Sequence, residues 1–380
     1  MGGRRWWNAW LTVGLMGGIA TGGLWLTWRP AARPVAREIG SACVGPVSEI
    51  VSVGDIMLAD GVQRKLDKQG YDYPFRDVGE LLAGADLVMG NLEAPITTHD
   101  VKYVASKKWS YRQDPKALPA LQGAGFDVLA LANNHVLDYG PEGFVETLDH
   151  FESAGIRAVG GGRSEEEARR GLIIELDGIT VGLLAFMENY GSYEKDGWFA
   201  KGDRPGCAMM DLELMQADIE RLRGQVDVLI VHCHFGRNYK PPTRLQHRMA
   251  RAIIDMGADV VNGHHPHVAQ GIEIYEGKPI LYSLGNFTFG TSGRFPKGRQ
   301  GYGMVARYRL CDGRVANVAV DLIGVNNKLV RYRPAPIAAD EAVPVLDELM
   351  EPYGTAVRWE GNSAVVELPS EEASGARKAR

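Results

Sequence analysis

The chain has 380 residues, 45% apolar and 23% charged, with a formal net charge of -5. These values exclude a disordered or fibrous chain, and the absence of a polybasic signature excludes nucleic acid as the default partner. Cys43, Cys207, Cys233 and Cys311 lie far apart without a C-x-x-C pair, which excludes a zinc knuckle or a dithiol redox motif. No disulfide is readable among them, and Cys43 reads as a linker residue.

Residues 6–28 carry no charge and are flanked by Arg5 and Arg29, with Trp6, Trp7, Trp25 and Trp28 at their ends. The length suits a hydrocarbon core and the tryptophans suit its interfaces. The reading is a single-pass helical anchor over residues 1–28. A cleaved signal peptide is the competing reading, but no small-x-small site directly follows the run. Residues 29–47, with Pro30, Pro34 and Pro46, read as a tether.

From Glu49 onward, apolar runs alternate with helical patterns, a β-α-β signature. Val51–Val53 runs into Gly54 and Asp55, and Leu87–Met89 into Gly90, Asn91, Leu92 and Glu93. Val128–Ala132 runs into Asn133, Asn134, His135 and, three residues on, Asp138. A helix is predicted over Pro141–Gly155, with Phe144, Leu148 and Phe151 on one face and Gly155 as its end. The strand Val181–Phe186 precedes Glu188 and Asn189. Val228–Val231 runs into His232, Cys233 and His234. The helix Pro242–Gly257, striped by Leu245, Met249, Ile253 and Met256, leads to Val260–Val261 and then Asn262, Gly263, His264, His265, Pro266 and His267. Ile280–Leu284 runs into Gly285, Asn286 and Phe287. Residues 303–332 alternate as strands around Asp312 and Gly313 and are expected to complete a second sheet. Glu341–Met350 reads as helix, Ala364–Leu368 as strand and 369–380 as a polar tail.

Five strand ends bearing metal-ligand residue types predict one site at one sheet edge, where open α/β folds bind ligands. Strand alternation puts His232 and His234 on one face with Cys233 opposite; His265 and His267 share a face if their segment is extended. Asp55 and Glu93 add carboxylates and Asn134 an amide oxygen. Nitrogen and oxygen ligands without thiolate suit manganese, iron or zinc, as one ion or two. His135 is the candidate acid or oxyanion stabiliser, and Asp138 its orienting partner. Each motif alone has a plainer reading: Gly-Asp is a turn, Asn-Asn-His a helix cap. His99, His150 and His247 read as exposed. Lys107, Lys108 and Arg112 lie in a polar loop, where Arg112 is the candidate for holding an anionic substrate.

The order of Gly54-Asp55, Gly90-Asn91-Leu92-Glu93, Asn133-Asn134-His135, His234-Phe235-Gly236, Gly263-His264-His265-Pro266-His267 and Gly285-Asn286-Phe287 resembles bacterial capsule synthesis proteins of the CapA/PgsA type. Those proteins are linked to poly-γ-glutamate production. The resemblance covers about Ser48 to Gly290 and implies a membrane-anchored protein with its globular domain outside the cytoplasmic membrane. This family is in turn similar to calcineurin-like metallophosphoesterases. That likeness implies an α/β fold of two sheets flanked by helices (α-β-β-α), ligand roles for Asp55, Asn134, His234, His265 and His267, and a catalytic role for His135. Glu93 must stand in for the usual aspartate bridge. Met57 occupies the position of a ligand histidine, and Asn238 that of an expected acidic residue. The implied organisation is a domain over 48–336 followed by an extension and tail over 337–380.

The resulting expectation is a membrane-anchored capsule or poly-γ-glutamate biosynthesis protein with a metal-dependent, phosphoesterase-type hydrolase site. Its partners would be an anionic polymer or phosphoester substrate and a polymer-synthase membrane complex. The alternative is a non-catalytic subunit that binds the polyanion and assists its synthesis or export.

Overall fold

Burial along the strand Val228–His234 defines the layers. In the computed structural model, which describes residue 43 and residues 45–368, Val228 and Ile230 join one hydrophobic cluster while Leu229, Val231 and Cys233 join another. A strand buried on both faces belongs to the middle of a layered α/β fold. His232 and His234 therefore turn to the same side as Val228 and Ile230, as the period of two requires.

Two large sheets carry the fold. The ten-stranded sheet runs in the order Arg358–Glu360, Ser363–Glu367, Arg314–Gly324, Tyr302–Cys311, Val47–Met57, Leu87–Leu92, Val128–Ala130 and Arg157–Val159. Asn286–Phe289 adds in parallel to the end of Val47–Met57, and Ala335–Pro336 pairs with Arg314–Gly324. The six-stranded sheet runs Ile272–Tyr275, Lys278–Leu281, Val260–His264, Val228–His234, Ile179–Met187 and Leu172–Leu176. The two sheets face one another: Asn262 Nδ2 donates to Ser52 Oγ at 3.2 Å, and Ser48 Oγ to the Leu176 carbonyl at 3.2 Å. On the far side of the smaller sheet, helices Leu212–Arg223 and Arg244–Asp255 pack Met215, Ile219, Met249 and Ile253 against Leu229, Val231 and Cys233.

Local signals account for most elements. The helix Gly140–Ala154 ends at Gly155, in the left-handed region at φ 69°. Arg244–Asp255 begins at a complete capping box between Thr243 and Gln246. Leu212–Arg223, absent from the sequence reading, starts where Asp211 accepts from the Glu213 and Leu214 amides.

Two expectations are corrected. Residues 303–332 do not complete the second sheet. Asp312 and Gly313, both at positive φ, make a tight hairpin whose first strand pairs with Val47–Val53 and so widens the first sheet. Within residues 337–367, Ala342 and Leu346 lie in the main core and Ser363–Glu367 is a strand of the large sheet. The single-pass placement does not stand either. A span needs about 20 apolar residues, and among the described residues no helix is long and apolar enough to cross a membrane. The 1–28 segment that suggested it lies outside the described residues, as do most of the tether and the 369–380 tail.

Cys43 is no mere linker residue: it forms a disulfide with Cys311 across a Cα–Cα distance of 5.9 Å. Closing so long a loop restricts the unfolded chain. Reduction is expected to lower stability by about 2–4 kcal/mol, read as a drop in Tm with dithiothreitol. An unchanged Tm with both thiols alkylated would remove this staple from the account.

Candidate metal centre

The five ligand-bearing strand ends meet, but not along one sheet. Val47–Met57, Leu87–Leu92 and Val128–Ala130 come from the large sheet, and Val228–His234 and Val260–His264 from the small one. The site lies where the C-terminal ends of the two sheets converge. Close backbone approach makes this possible. A Cβ on Gly54 would sit 1.9 Å from the Gly285 carbonyl oxygen, and one on Gly263 2.0 Å from that of Tyr282.

Asp55, Glu93 and His267 bring one donor atom each within 4.8 Å of one another, and Glu93, His234 and His265 do the same. Glu93 belongs to both groups. His234 Nε2 lies 2.8 Å from Asn134 Oδ1, 3.1 Å from His265 Nδ1 and 3.8 Å from Glu93 Oε1. His267 Nδ1 sits 2.9 Å from Asn286 Oδ1 and 3.2 Å from Asp55 Oδ2. That leaves its Nε2 facing Glu93 Oε1 at 3.7 Å. Asp55 is also held by Asn91 Nδ2 at 2.8 Å, by the His265 amide at 3.3 Å and by His264 Nδ1 at 3.3 Å. Asn133 ties the neighbouring strand ends together, donating to Asn91 Oδ1 at 3.1 Å and to the Leu92 carbonyl at 2.8 Å.

Glu93 is the anomaly. It is fully buried, and neither carboxylate oxygen has a hydrogen-bond partner. Burial, and then the charge of Asp55, push its pKa well above the usual carboxylate range. Burial also works to raise Asp55, but bonds from His264 and His267 hold it well below that range. Burial, then His265, drives His234 well below its usual value, and burial, then His267, takes His265 to about 3. At neutral pH these two imidazoles are therefore neutral, with lone pairs to give. A buried carboxylate without partners costs several kcal/mol unless something compensates it. Two carboxylates, three imidazoles and an amide oxygen around it form a donor set that fits a divalent ion, and the shared Glu93 fits a pair.

The segment carrying two of these histidines is not extended. His265 and His267 have φ of 94° and 59° on either side of Pro266. Strained left-handed residues of this kind concentrate at functional sites. His232 and His264 stand behind the cluster as a stacked pair, Nδ1 to Nε2 3.0 Å apart. Met57 supplies no ligand: it packs with Ala59, Ala94 and Phe289 in a small apolar cluster.

The acid–base candidates are buried together. His135 Nδ1 lies 2.7 Å from Asp138 Oδ2, which also accepts from the Tyr111 amide at 2.7 Å. Lys107 pairs with Asp138 and donates to the Asn134 carbonyl at 2.5 Å. Burial, then the Lys107 charge, lowers the His135 pKa. A cavity of about 540 Å³ opens over His135, Asn134, His265 and His267, with Lys108 and Arg294 in its wall. Arg112 lies outside that wall. Its guanidinium donates to the Thr98 and His99 carbonyls, both at 2.9 Å, so it braces a loop. Arg294, which does line the cavity, has no strand-end signal. Tyr190 and Tyr239, whose rings stand 5.2 Å from His265 and 5.7 Å from His267, had none either. Asn238 lines the same cavity, whereas Glu188 is spent on the Gly236 amide at 2.8 Å.

The buried histidines make a pH prediction for the metal-stripped protein. His135, His232, His234 and His265 all have lowered folded pKa values. Below about 6.5 the unfolded chain binds protons that the folded protein refuses, so stability is lost as pH falls. Glu93 has the opposite sign, but it contributes at most one proton against four. Tm is expected to fall from pH 7 to pH 5; a rise over that range would contradict neutral buried imidazoles.

A family model for bacterial capsule synthesis protein PGA_cap matches residues 49–291, a range containing every candidate ligand. The chain is 35% identical over 239 residues to "PGA biosynthesis protein CapA" of Bacillus subtilis, covering 62% of each protein. It is 32% identical over 286 residues to "Capsule biosynthesis protein CapA" of Bacillus anthracis, covering 73% of this chain and 67% of that one. A "Probable polyglutamine synthesis accessory protein" of Mycobacterium tuberculosis is 34% identical over 221 residues, covering 55% of this chain and 58% of its own length. The chain thus matches less than two thirds of the length of the first of these relatives.

Proposed function

The chain belongs to the bacterial capsule synthesis protein family, and from that premise we propose that it serves poly-γ-glutamate-type capsule biosynthesis through a divalent-metal, hydrolase-like site of the phosphoesterase type. The observation that carries this reading is the bare, buried Glu93 carboxylate between two histidine-containing triads. Asp55, Glu93 and His267 would hold one ion; Glu93, His234, His265 and the Asn134 amide oxygen would hold a second. Bound there, manganese, iron or zinc supplies Lewis acidity toward a phosphoryl or carbonyl oxygen. The two facing sheets, with helices on the outer side of the smaller one, support the phosphoesterase-type comparison.

The remaining work falls to side chains. His135, with Nδ1 engaged by Asp138, has Nε2 left to accept a proton from a reacting oxygen and, as the imidazolium so formed, to return it to a leaving oxygen. Lys108 and Arg294 supply positive charge in the cavity wall for an anionic polymer or phosphoester. The mycobacterial relative's name, an accessory protein of polyglutamine synthesis, supports a place beside a polymer synthase.

The test is metal analysis of the full chain, followed by hydrolysis of bis-(p-nitrophenyl) phosphate after Mn²⁺ loading. Bound metal and turnover are expected, and the double variant His265→Ala/His267→Ala should lose both. A folded protein that takes up no divalent ion would overturn the metal reading. The cationic wall also fits a second reading, a non-catalytic polymer-binding subunit. Capsule output that survives the double histidine variant but fails when Lys108 and Arg294 are replaced would favour it.

A further inference from the structure

We propose that Lys107 is a positioning residue whose ammonium group fixes which nitrogen His135 presents to the cavity. The geometry stands alone; only the task given to His135 rests on the metal-centre reading. Lys107 comes from the irregular segment between Leu87–Leu92 and the helix Ala117–Gly123, and its side chain is only 14% exposed. Its Nζ donates to the Asn134 carbonyl at 2.5 Å and to Asp138 Oδ1, and lies 3.5 Å from His135 Nδ1. The rings of Trp198 and Tyr193 stand 4.6 Å and 5.3 Å from it. Lys107 borders the cavity, but two of its three N–H groups are on oxygens and aromatic faces surround it, so its main contacts are within the protein.

Its effect passes through Asp138, whose two oxygens are divided. Oδ1 takes Lys107; Oδ2 takes the Tyr111 amide and His135 Nδ1. A carboxylate held by a cation on one oxygen and a backbone N–H on the other has a single orientation. The short Nδ1–Oδ2 contact of 2.7 Å, against 3.5 Å to the Lys107 ammonium, assigns the His135 proton to Nδ1 and leaves Nε2 bare toward the cavity. The same ammonium anchors the backbone of Asn134, whose amide oxygen reaches His234.

The experiment compares wild type with Lys107→Met and Lys107→Arg in the full chain, by ¹⁵N NMR of the histidine rings, metal content after Mn²⁺ loading and bis-(p-nitrophenyl) phosphate kinetics. His135 signals are assigned with His135→Gln. Wild type is expected to show the Nδ1–H form. Lys107→Met should show a tautomer mixture, unchanged metal content, KM within error of wild type and kcat lower by about 100-fold, a general-base-sized loss. Lys107→Arg should recover part of kcat. An Nε2–H form in wild type, an unaltered tautomer in Lys107→Met, or a rise in KM at constant kcat would overturn the proposal. If Lys107→Met does not fold, the wild-type tautomer still decides. If wild type binds no metal, the metal-centre reading fails, whereas the tautomer continues to test Lys107.

Discussion

Glu93→Gln is expected to abolish divalent-metal binding at both halves of the site while making the metal-stripped protein more stable. The two effects have one cause. Glu93 is the only donor common to both triads, so its loss removes a ligand from each, whereas His267→Ala would touch one. In the stripped protein the same carboxylate is buried with no hydrogen-bond partner and with Asp55 close by. With its pKa raised, this group either stays charged without partners or must take up a proton on folding; a neutral glutamine of nearly equal volume avoids that penalty of about 1–3 kcal/mol. Wild type should therefore gain Tm when Mn²⁺ is added and the variant should not, since a ligand stabilises only the state that binds it. Thermal melts with and without EDTA give both numbers. A stripped Glu93→Gln protein less stable than stripped wild type would mean that the carboxylate has partners of its own, and the argument for a metal would lose its main support.

Much of this site was legible because ligand types followed apolar runs. The local rules that place Asp55, His232 and His234 depend only on strand period and strand ends. Gly155 and the pairing of Thr243 with Gln246 likewise mark helix ends by neighbours in sequence. Sheet membership does not work that way. The hairpin at Asp312 and Gly313 was readable, but its partner strand lies about 260 residues away along the chain, so its assignment to a second sheet was wrong. His265 and His267 escaped their expected extended geometry because Pro266 lies between two residues at positive φ, a local choice with no periodic signal. Lys107 and Arg112 look alike in the sequence, two cations in one polar loop. One is drawn inward by Asp138, 31 residues on, and the other is consumed by the Thr98 and His99 carbonyls. That difference is made by the fold.

Asp138→Ala should be the most destabilising substitution in the site. Its carboxylate is fully buried and satisfies Lys107, His135 and the Tyr111 amide at once. Removing it leaves an ammonium at low exposure with no counter-charge, a situation that costs about 3–5 kcal/mol when one half of a buried pair is deleted. The loss should come mainly from the stranded cation rather than from the missing bonds. Adding Lys107→Met to Asp138→Ala is therefore expected to restore part of the stability, with a coupling energy of about 1–3 kcal/mol between the two positions. Urea denaturation of wild type, both single variants and the double variant closes the cycle. If the double variant is as unstable as the sum of the singles, the pair is not energetically coupled, and the segment containing Lys107 is held by Tyr103, whose amide bonds the Asp138 backbone carbonyl at 3.0 Å. If the coupling is found, the stability of this segment and the orientation of His135 have a common origin in one buried charge pair.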